Sequence, residues 1–191
     1  MISELIDLLG ESPSRQVGLR RHWREVERLI GITLPDDYKW LVNNYGDAHI
    51  AGHLWLPHPA APTGPPFGPR DLLTFIKEEV ENWKAIREGY VCVPDRVLAA
   101  REDLVPWARH DWDGDLCLLL PPVDNSAAWE VGVALRQYPE IMVFRGGPVE
   151  FVLDFLAGQG PRGWPTNRPG WMSWDDARNY HGPDGEARPG S

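Results

Sequence analysis

Residues 23–46, WREVERLIGITLPDDYKWLVNNYG, constrain the fold of this chain more than any other stretch. Trp23, Val26 and Ile30 are spaced three and then four residues apart, which places them on one face of a helix. Gly31 follows, and glycine readily adopts the left-handed conformation found just after many helices. We therefore expect a helix that ends in a tight corner.

A second helix is predicted directly after this corner. Pro35 suits a first helical turn, where a missing N–H removes no hydrogen bond. Asp36 and Asp37 follow, and carboxylates are favoured near the positive end of the helix dipole. An apolar stripe then runs to a glycine that can end the helix; these residues are Tyr38, Leu41, Val42, Tyr45 and Gly46.

The charge balance restricts the class of partner. Across 191 residues, 28 acidic and 19 basic side chains give a formal net charge of −9. A general nucleic-acid binder needs a basic surface, so we predict no nucleic-acid partner. The charge suits a basic protein partner, although it is also what keeps a small protein soluble.

The N-terminus has acidic residues early and no basic start followed by an apolar run, so we predict no signal peptide. No window has the roughly 20 apolar residues of a membrane span, so no membrane partner is expected. Cys92 and Cys117 lack metal-ligand or redox spacing, and we expect two buried free thiols rather than a disulfide. Together these features predict a cytoplasmic protein.

The remaining pattern predicts an α+β fold in which an antiparallel sheet packs against several helices. Short apolar or alternating runs predict strands at 49–57, 90–93, 105–109, 116–120, 129–136 and 141–144, the last two as a hairpin. Helical spacing predicts helices at 2–9, 71–89 and 149–157. Prolines predict a loop at 57–69.

The composition changes after residue 157, where Gly and Pro become frequent and helical or strand periodicity is lost. We therefore divide the chain into a domain at 1–157, with a core at about 19–157, and a C-terminal extension at 158–191. A linker rarely holds Trp164, Trp171, Trp174 and Tyr180. We expect this extension to dock partly on the domain, with its last few residues mobile.

The order of these residues resembles the SUKH superfamily, which includes a fungal regulator of cell-wall synthesis and bacterial immunity proteins that neutralise polymorphic toxins. The similarity covers about residues 19–157. It lies in Trp23, Val26, Glu27, Gly31-Ile32, the Leu34-Pro35-x-Asp37-Tyr38 run, Tyr45-Gly46, Asp113, Gly114-Asp115, Cys117, Phe151 and Phe155-Leu156. The resemblance implies an α+β fold and a protein-binding role without catalysis. The proline-rich loop and the extension depart from a minimal member.

Asp111, Asp113 and Asp115 alternate in a way that is similar to the opening of a calcium loop. The twelfth position of such a loop would be Pro122 instead of a bidentate Glu, so an acidic turn is the preferred interpretation. If the resemblance holds, these carboxylates form an acidic patch for a basic partner, with Trp112 as an aromatic anchor. Trp55 is either a second anchor or a core residue, and the alternating strand pattern favours the core.

Neither a metal site nor a catalytic site is predicted. His49 and His53 would lie about 13 Å apart on an extended strand, too far for shared metal coordination. The chain has no nucleophile-elbow or phosphate-loop pattern, and Gly146-Gly147 is typical of a tight turn. We therefore predict a protein that is not an enzyme and has no cofactor. The leading hypothesis is an immunity protein that binds a cognate toxin, and the alternative is a regulatory or scaffolding module.

Overall fold

The computed structural model describes residues 1–11, 19–60, 71–100, 103–111, 113–123, 128–165 and 170–173. The helices are α1 (Ile2–Leu9), α2 (Leu19–Ile30), α3 (Asp36–Tyr45), α4 (Leu72–Ile86), α5 (Asp95–Ala99) and α6 (Pro148–Asp154). The strands are β1 (Ala48–Ile50), β2 (Leu54–Leu56), β3 (Val105–His110), β4 (Leu116–Leu120), β5 (Glu130–Leu135), β6 (Glu140–Phe144) and β7 (Trp171–Ser173). A short 3₁₀ turn, Arg87–Gly89, follows α4, and a π-helical turn, Phe155–Gln159, follows α6.

The seven strands form one antiparallel sheet in the order β6-β5-β4-β3-β2-β1-β7. Together with the helices this makes an α+β protein, so the predicted fold class is confirmed. All five residues of β4 are buried. Since successive side chains of a strand point to opposite faces, both faces of the sheet are covered at β4.

The helical corner predicted from residues 23–46 is confirmed as α2 and α3. Gly31 has the left-handed φ of 76° expected after the end of α2. Glu27 holds the corner together, because its Oε1 accepts a 2.9 Å hydrogen bond from the backbone N of Leu34 and pairs with Nζ of Lys39 at 2.6 Å. Trp23 donates its indole N–H to Oδ1 of Asn43 over 2.8 Å, which links the two helices directly.

The centre of the core is a chain of aromatic rings between the helical corner and the sheet. Tyr38 of α3 contacts Trp23 and Trp107 edge-on, with centroid distances of 5.7 and 5.8 Å. Trp107 of β3 in turn contacts Phe151 of α6 at 5.9 Å. Such edge-to-face pairs add to the free energy gained by burying the rings. Tyr38 and Trp107 are both fully buried.

Several local predictions are corrected. The strand predicted at 49–57 is a hairpin of β1 and β2, because the chain reverses at 51–53. Residues 90–93 form only an isolated bridge between Cys92 and Glu140, so no strand lies there, and Cys92 is exposed rather than buried. Helix α5 follows Pro94, in a segment between two predicted strands for which no helix is predicted. The last helix begins at Pro148 and continues as the π-helical turn.

The described part of the C-terminal extension belongs to the domain. Trp164 is only 5 % exposed and lies in the main core. Strand β7 pairs with β1, and the ring of Trp171 lies 6.4 Å from that of Tyr45. The predicted partial docking is confirmed for these two tryptophans, and the fold extends past the predicted boundary at residue 157. Trp174, Tyr180 and most of the proline-rich loop lie outside the described residues.

Candidate functional site at the turn between strands β3 and β4

The acidic residues singled out in the sequence lie at the tight turn that joins β3 to β4. The turn closes through two backbone hydrogen bonds, from Gly114 N to His110 O at 2.8 Å and from His110 N to Asp115 O at 2.9 Å. Gly114 has a φ of +73°, a conformation that residues with a Cβ rarely adopt. The prediction of an acidic Asp-Gly turn is therefore confirmed in its backbone geometry.

Asp115 is buried beneath this turn instead of facing solvent. Its side chain accepts two hydrogen bonds, at Oδ1 from the backbone N of Arg136 (2.7 Å) and at Oδ2 from the indole Nε1 of Trp164 (2.8 Å). Burial raises the pKa of Asp115, and these two hydrogen bonds oppose that rise. Because Asp115 is only 3 % exposed, its predicted contact with a partner is corrected to a role inside the protein.

Trp55 is also a core residue, as the alternating strand pattern favours, and not a surface anchor. Its side chain is 2 % exposed and contacts Phe75 of α4 edge-on at 5.2 Å. The guanidinium carbon of Arg109 lies 5.5 Å from the Trp55 ring centre, within cation–π range. Trp55 therefore joins α4 to the sheet and is not available to a partner.

Asp111 and Asp113 are the predicted partner-binding residues that reach the surface. The side chain of Asp113 is 30 % exposed and accepts a 2.6 Å hydrogen bond from Gln137 Nε2. Asp111 is 17 % exposed and pairs through Oδ2 with Nε2 of His49. Trp112, between them, lies outside the described residues. The turn therefore presents two partly exposed carboxylates, each of which also contacts side chains of its own protein.

Three rings from distant parts of the chain pack beneath the turn. His110 stacks on Trp164 with a centroid distance of 4.6 Å and an angle of 17° between planes. His53 approaches His110 edge-on at 4.6 Å, and its Nε2 contacts the carbonyl oxygen of Pro165 at 2.9 Å. The two histidines and Trp164 thus connect the β1–β2 turn, the end of β3 and the C-terminal extension.

Both histidines are neutral at pH 7. Burial lowers the pKa of His53 to about 4, and the neighbouring His110 adds to this effect. Burial likewise lowers the pKa of His110 to about 4, although Asp111 opposes the shift. Neutral imidazoles can accept hydrogen bonds or bind metal ions through an unprotonated nitrogen.

His110, Asp113 and Asp115 each bring a possible metal-ligating atom to this turn. These atoms all lie within 4.8 Å of one another, and His110 Nδ1 is 3.5 Å from Asp113 Oδ2. Sequence spacing pairs His49 with His53 and groups the three aspartates with one another, so it does not single out this set. His110 directly precedes the aspartates, and that adjacency was the available signal.

The involvement of His53 and Trp164 could not be found from spacing. In an extended strand His53 would point along the same face as His49, whereas the hairpin turns it towards His110. Trp164 carries no local pattern that links it to Asp115, 49 positions earlier. Only the packing of the extension onto the sheet brings Trp164 to Asp115 and His110.

Comparisons with known proteins identify no family for this chain. No model of a protein family, no curated protein and no solved structure matches this chain. The SUKH resemblance therefore stays a prediction. Among the described residues, no helix combines the length and apolar character needed to cross a membrane.

Proposed function

We propose that this chain is a non-catalytic protein-binding domain, an immunity protein that binds and neutralises a cognate bacterial toxin in the cytoplasm. The observation that carries the proposal is the ordered set of SUKH-like residues running from Trp23 to Leu156. A toxin with a basic surface would be the natural partner for a chain of net charge −9.

The positions of the SUKH-like residues support this reading. Trp23 and Glu27 tie α2 to the following helix, and Tyr38 lies at the centre of the aromatic core. Gly114 forms the turn before β4. These motif residues determine the fold, and most of the surface is left free to vary with the partner, which suits proteins that each recognise a different toxin.

The acidic turn is the surface that we assign to the partner. Asp113 is 30 % exposed, and a carboxylate that accepts one hydrogen bond retains lone pairs for an Arg or Lys of a partner. Negative charge on the rest of the protein would raise the rate at which a basic partner is captured.

The test is binding and protection by the products of neighbouring genes. Each product is expressed with and without this chain, and growth rescue is compared with direct binding of the purified pair. We expect one neighbour to be toxic alone, bound in vitro and neutralised in cells. If no neighbour is toxic and none binds, the immunity function is wrong.

Once a partner is found, two charge-reversal variants test whether it contacts the acidic turn. Asp113→Arg is expected to slow association about tenfold at low salt, because it reverses charge within the contact. Glu81→Arg is the matched control: it makes the same change in net charge on the outer face of α4, where the Glu81 side chain is 73 % exposed. Equal slowing by both variants would show that only overall charge matters.

A regulatory or scaffolding module is the alternative, and the aromatic residues Trp174 and Tyr180, which follow Ser173, favour it. Deleting all of 158–191 is a poor test, because it removes Trp164 from the core and β7 from the sheet. A chain ending at Ser173 keeps both. Loss of partner binding by this shorter chain, with its fold intact by circular dichroism, would support the alternative.

A further inference from the structure

We propose that the turn between β3 and β4 binds one divalent transition-metal ion, with Zn²⁺ as the best fit, through His110, Asp113 and Asp115. This inference uses the same turn that we assign to the partner, but it is tested with the metal ion alone. It rests on a mixed nitrogen and oxygen ligand set whose atoms lie within 4.8 Å of one another. A tetrahedral zinc site with bonds of about 2.0–2.2 Å needs ligand atoms roughly 3.3–3.6 Å apart.

Two of the three ligands are already held in position. Asp115 is fixed by hydrogen bonds from Arg136 N and Trp164 Nε1, and His110 is fixed by stacking on the same indole. Metal ligands are commonly oriented by such outer contacts, which lower the cost of organising the site. Trp164 therefore contacts both ligands: its indole N–H bonds to Asp115, and its ring face stacks on His110.

Asp113 is the ligand that completes the site from the solvent side. Its Oδ2 is already 3.5 Å from His110 Nδ1, and its side chain is 30 % exposed, so it can move the remaining distance. The backbone N of Asp113 lies 3.4 Å from His110 Nδ1, and a contact this long is weak enough for a metal ion to replace.

The ligand chemistry selects the class of ion. An imidazole nitrogen suits zinc, cobalt or nickel, whereas Ca²⁺ takes six to eight oxygen ligands. Two carboxylates and a neutral imidazole balance the charge of a divalent ion. A cation between Asp113 and Asp115 would also relieve the repulsion between two carboxylates brought close together. Three protein ligands leave a fourth tetrahedral position for water or a partner side chain.

The test is titration of the purified, tag-free full chain with Zn²⁺ and Ca²⁺ by calorimetry, and with Co²⁺ by visible absorption. We expect one Zn²⁺ per chain, a tetrahedral Co²⁺ spectrum and no saturable Ca²⁺ binding. Asp113→Asn removes one of the three ligands, so it should weaken Zn²⁺ binding by at least the roughly 10- to 100-fold that losing an outer contact to a ligand costs. The fold should stay intact, because the Asp113 side chain is 30 % exposed.

The matched control is Asp36→Asn, which removes a carboxylate from a side chain that is fully exposed on α3. Its Zn²⁺ affinity should equal that of the unchanged protein. The site would be refuted by failure to bind Zn²⁺ one to one, or by equal affinities of the Asp113→Asn variant and the unchanged protein. Equal weakening in both variants would show an adventitious ion only.

Discussion

Trp164 donates its indole N–H to Oδ2 of Asp115 over 2.8 Å, across 49 positions of sequence. The other carboxylate oxygen accepts from the backbone of Arg136, just beyond the end of β5. One buried side chain thus connects the β3–β4 turn, the end of β5 and the C-terminal extension. This arrangement makes the described part of the extension belong to the domain.

Replacing Trp164 by Phe tests that hydrogen bond, because an aromatic ring remains in the core while the N–H donor is lost. A buried carboxylate oxygen then lacks its donor, which should lower the free energy of unfolding by about 1–3 kcal/mol in urea titrations. Trp129→Phe, at a half-buried position before β5, is the control. Equal losses in both variants would assign the effect to ring size alone.

Replacing Tyr38 by Phe and replacing Tyr45 by Phe should have different effects on stability. The hydroxyl of Tyr38 is buried with no hydrogen-bond partner among the described residues, and its burial raises the pKa of the phenol. Tyr38→Phe should therefore be neutral or stabilising, because an unpaired polar group leaves the core.

The hydroxyl of Tyr45 instead donates a 2.8 Å hydrogen bond to the carbonyl oxygen of Gly10, next to α1. Tyr45→Phe should lower the free energy of unfolding by about 1 kcal/mol. Thermal or urea unfolding of both variants checks the pair. A clear loss of stability in Tyr38→Phe would show that its hydroxyl has a partner that the described residues do not include.

Acid should destabilise the metal-free protein through His53 and His110. Each has a folded-state pKa of about 4, below the ordinary value of 6.5 for histidine, so below pH 6.5 the unfolded chain binds more protons. The stability that these two histidines contribute is therefore fully present above about pH 6.5 and is lost as the pH falls through 4. Urea midpoints measured in EDTA at several pH values between 7.5 and 4.5 record this fall.

A single variant separates this effect from the titration of carboxylates. His110→Phe keeps a ring against Trp164 and removes one titrating group, so its stability should decline less steeply with acid than that of the unchanged protein. An identical slope in both proteins would mean that His110 is not responsible. The comparison uses the slope, so any constant cost of the substitution cancels.

Gly114 should resist replacement because of its backbone conformation. At φ +73° an added Cβ is strained, and it would lie 3.0 Å from Nη1 of Arg136. The flexible Arg136 side chain can move, so the backbone term dominates and Gly114→Ala should cost about 1–2 kcal/mol. Gly89→Ala is the control, since a Cβ there meets nothing within 4 Å. Similar stabilities of the two variants would contradict this account.

Local patterns in the sequence were sufficient for much of the fold. The helical corner at α2 and α3, strand β4 and the β5–β6 hairpin depend on spacing and on capping residues that act within a few positions. The same patterns gave a wrong prediction at 49–57, where one short apolar run contains two strands, β1 and β2. Three-residue strands around a turn at Ala51 and Gly52 are too short to show a strand period.

By itself, the sequence determined the α+β class, the helical corner and the acidic turn, because helix faces and tight turns are set by residues close together in the chain. Only the tertiary structure decided that Asp115 and Trp55 are buried, that His53 meets His110, and that Trp164 caps the turn. These contacts join segments far apart in sequence. They form because burying the aromatic side chains of the extension against the sheet is favourable, and no local pattern records which polar group each ring will meet.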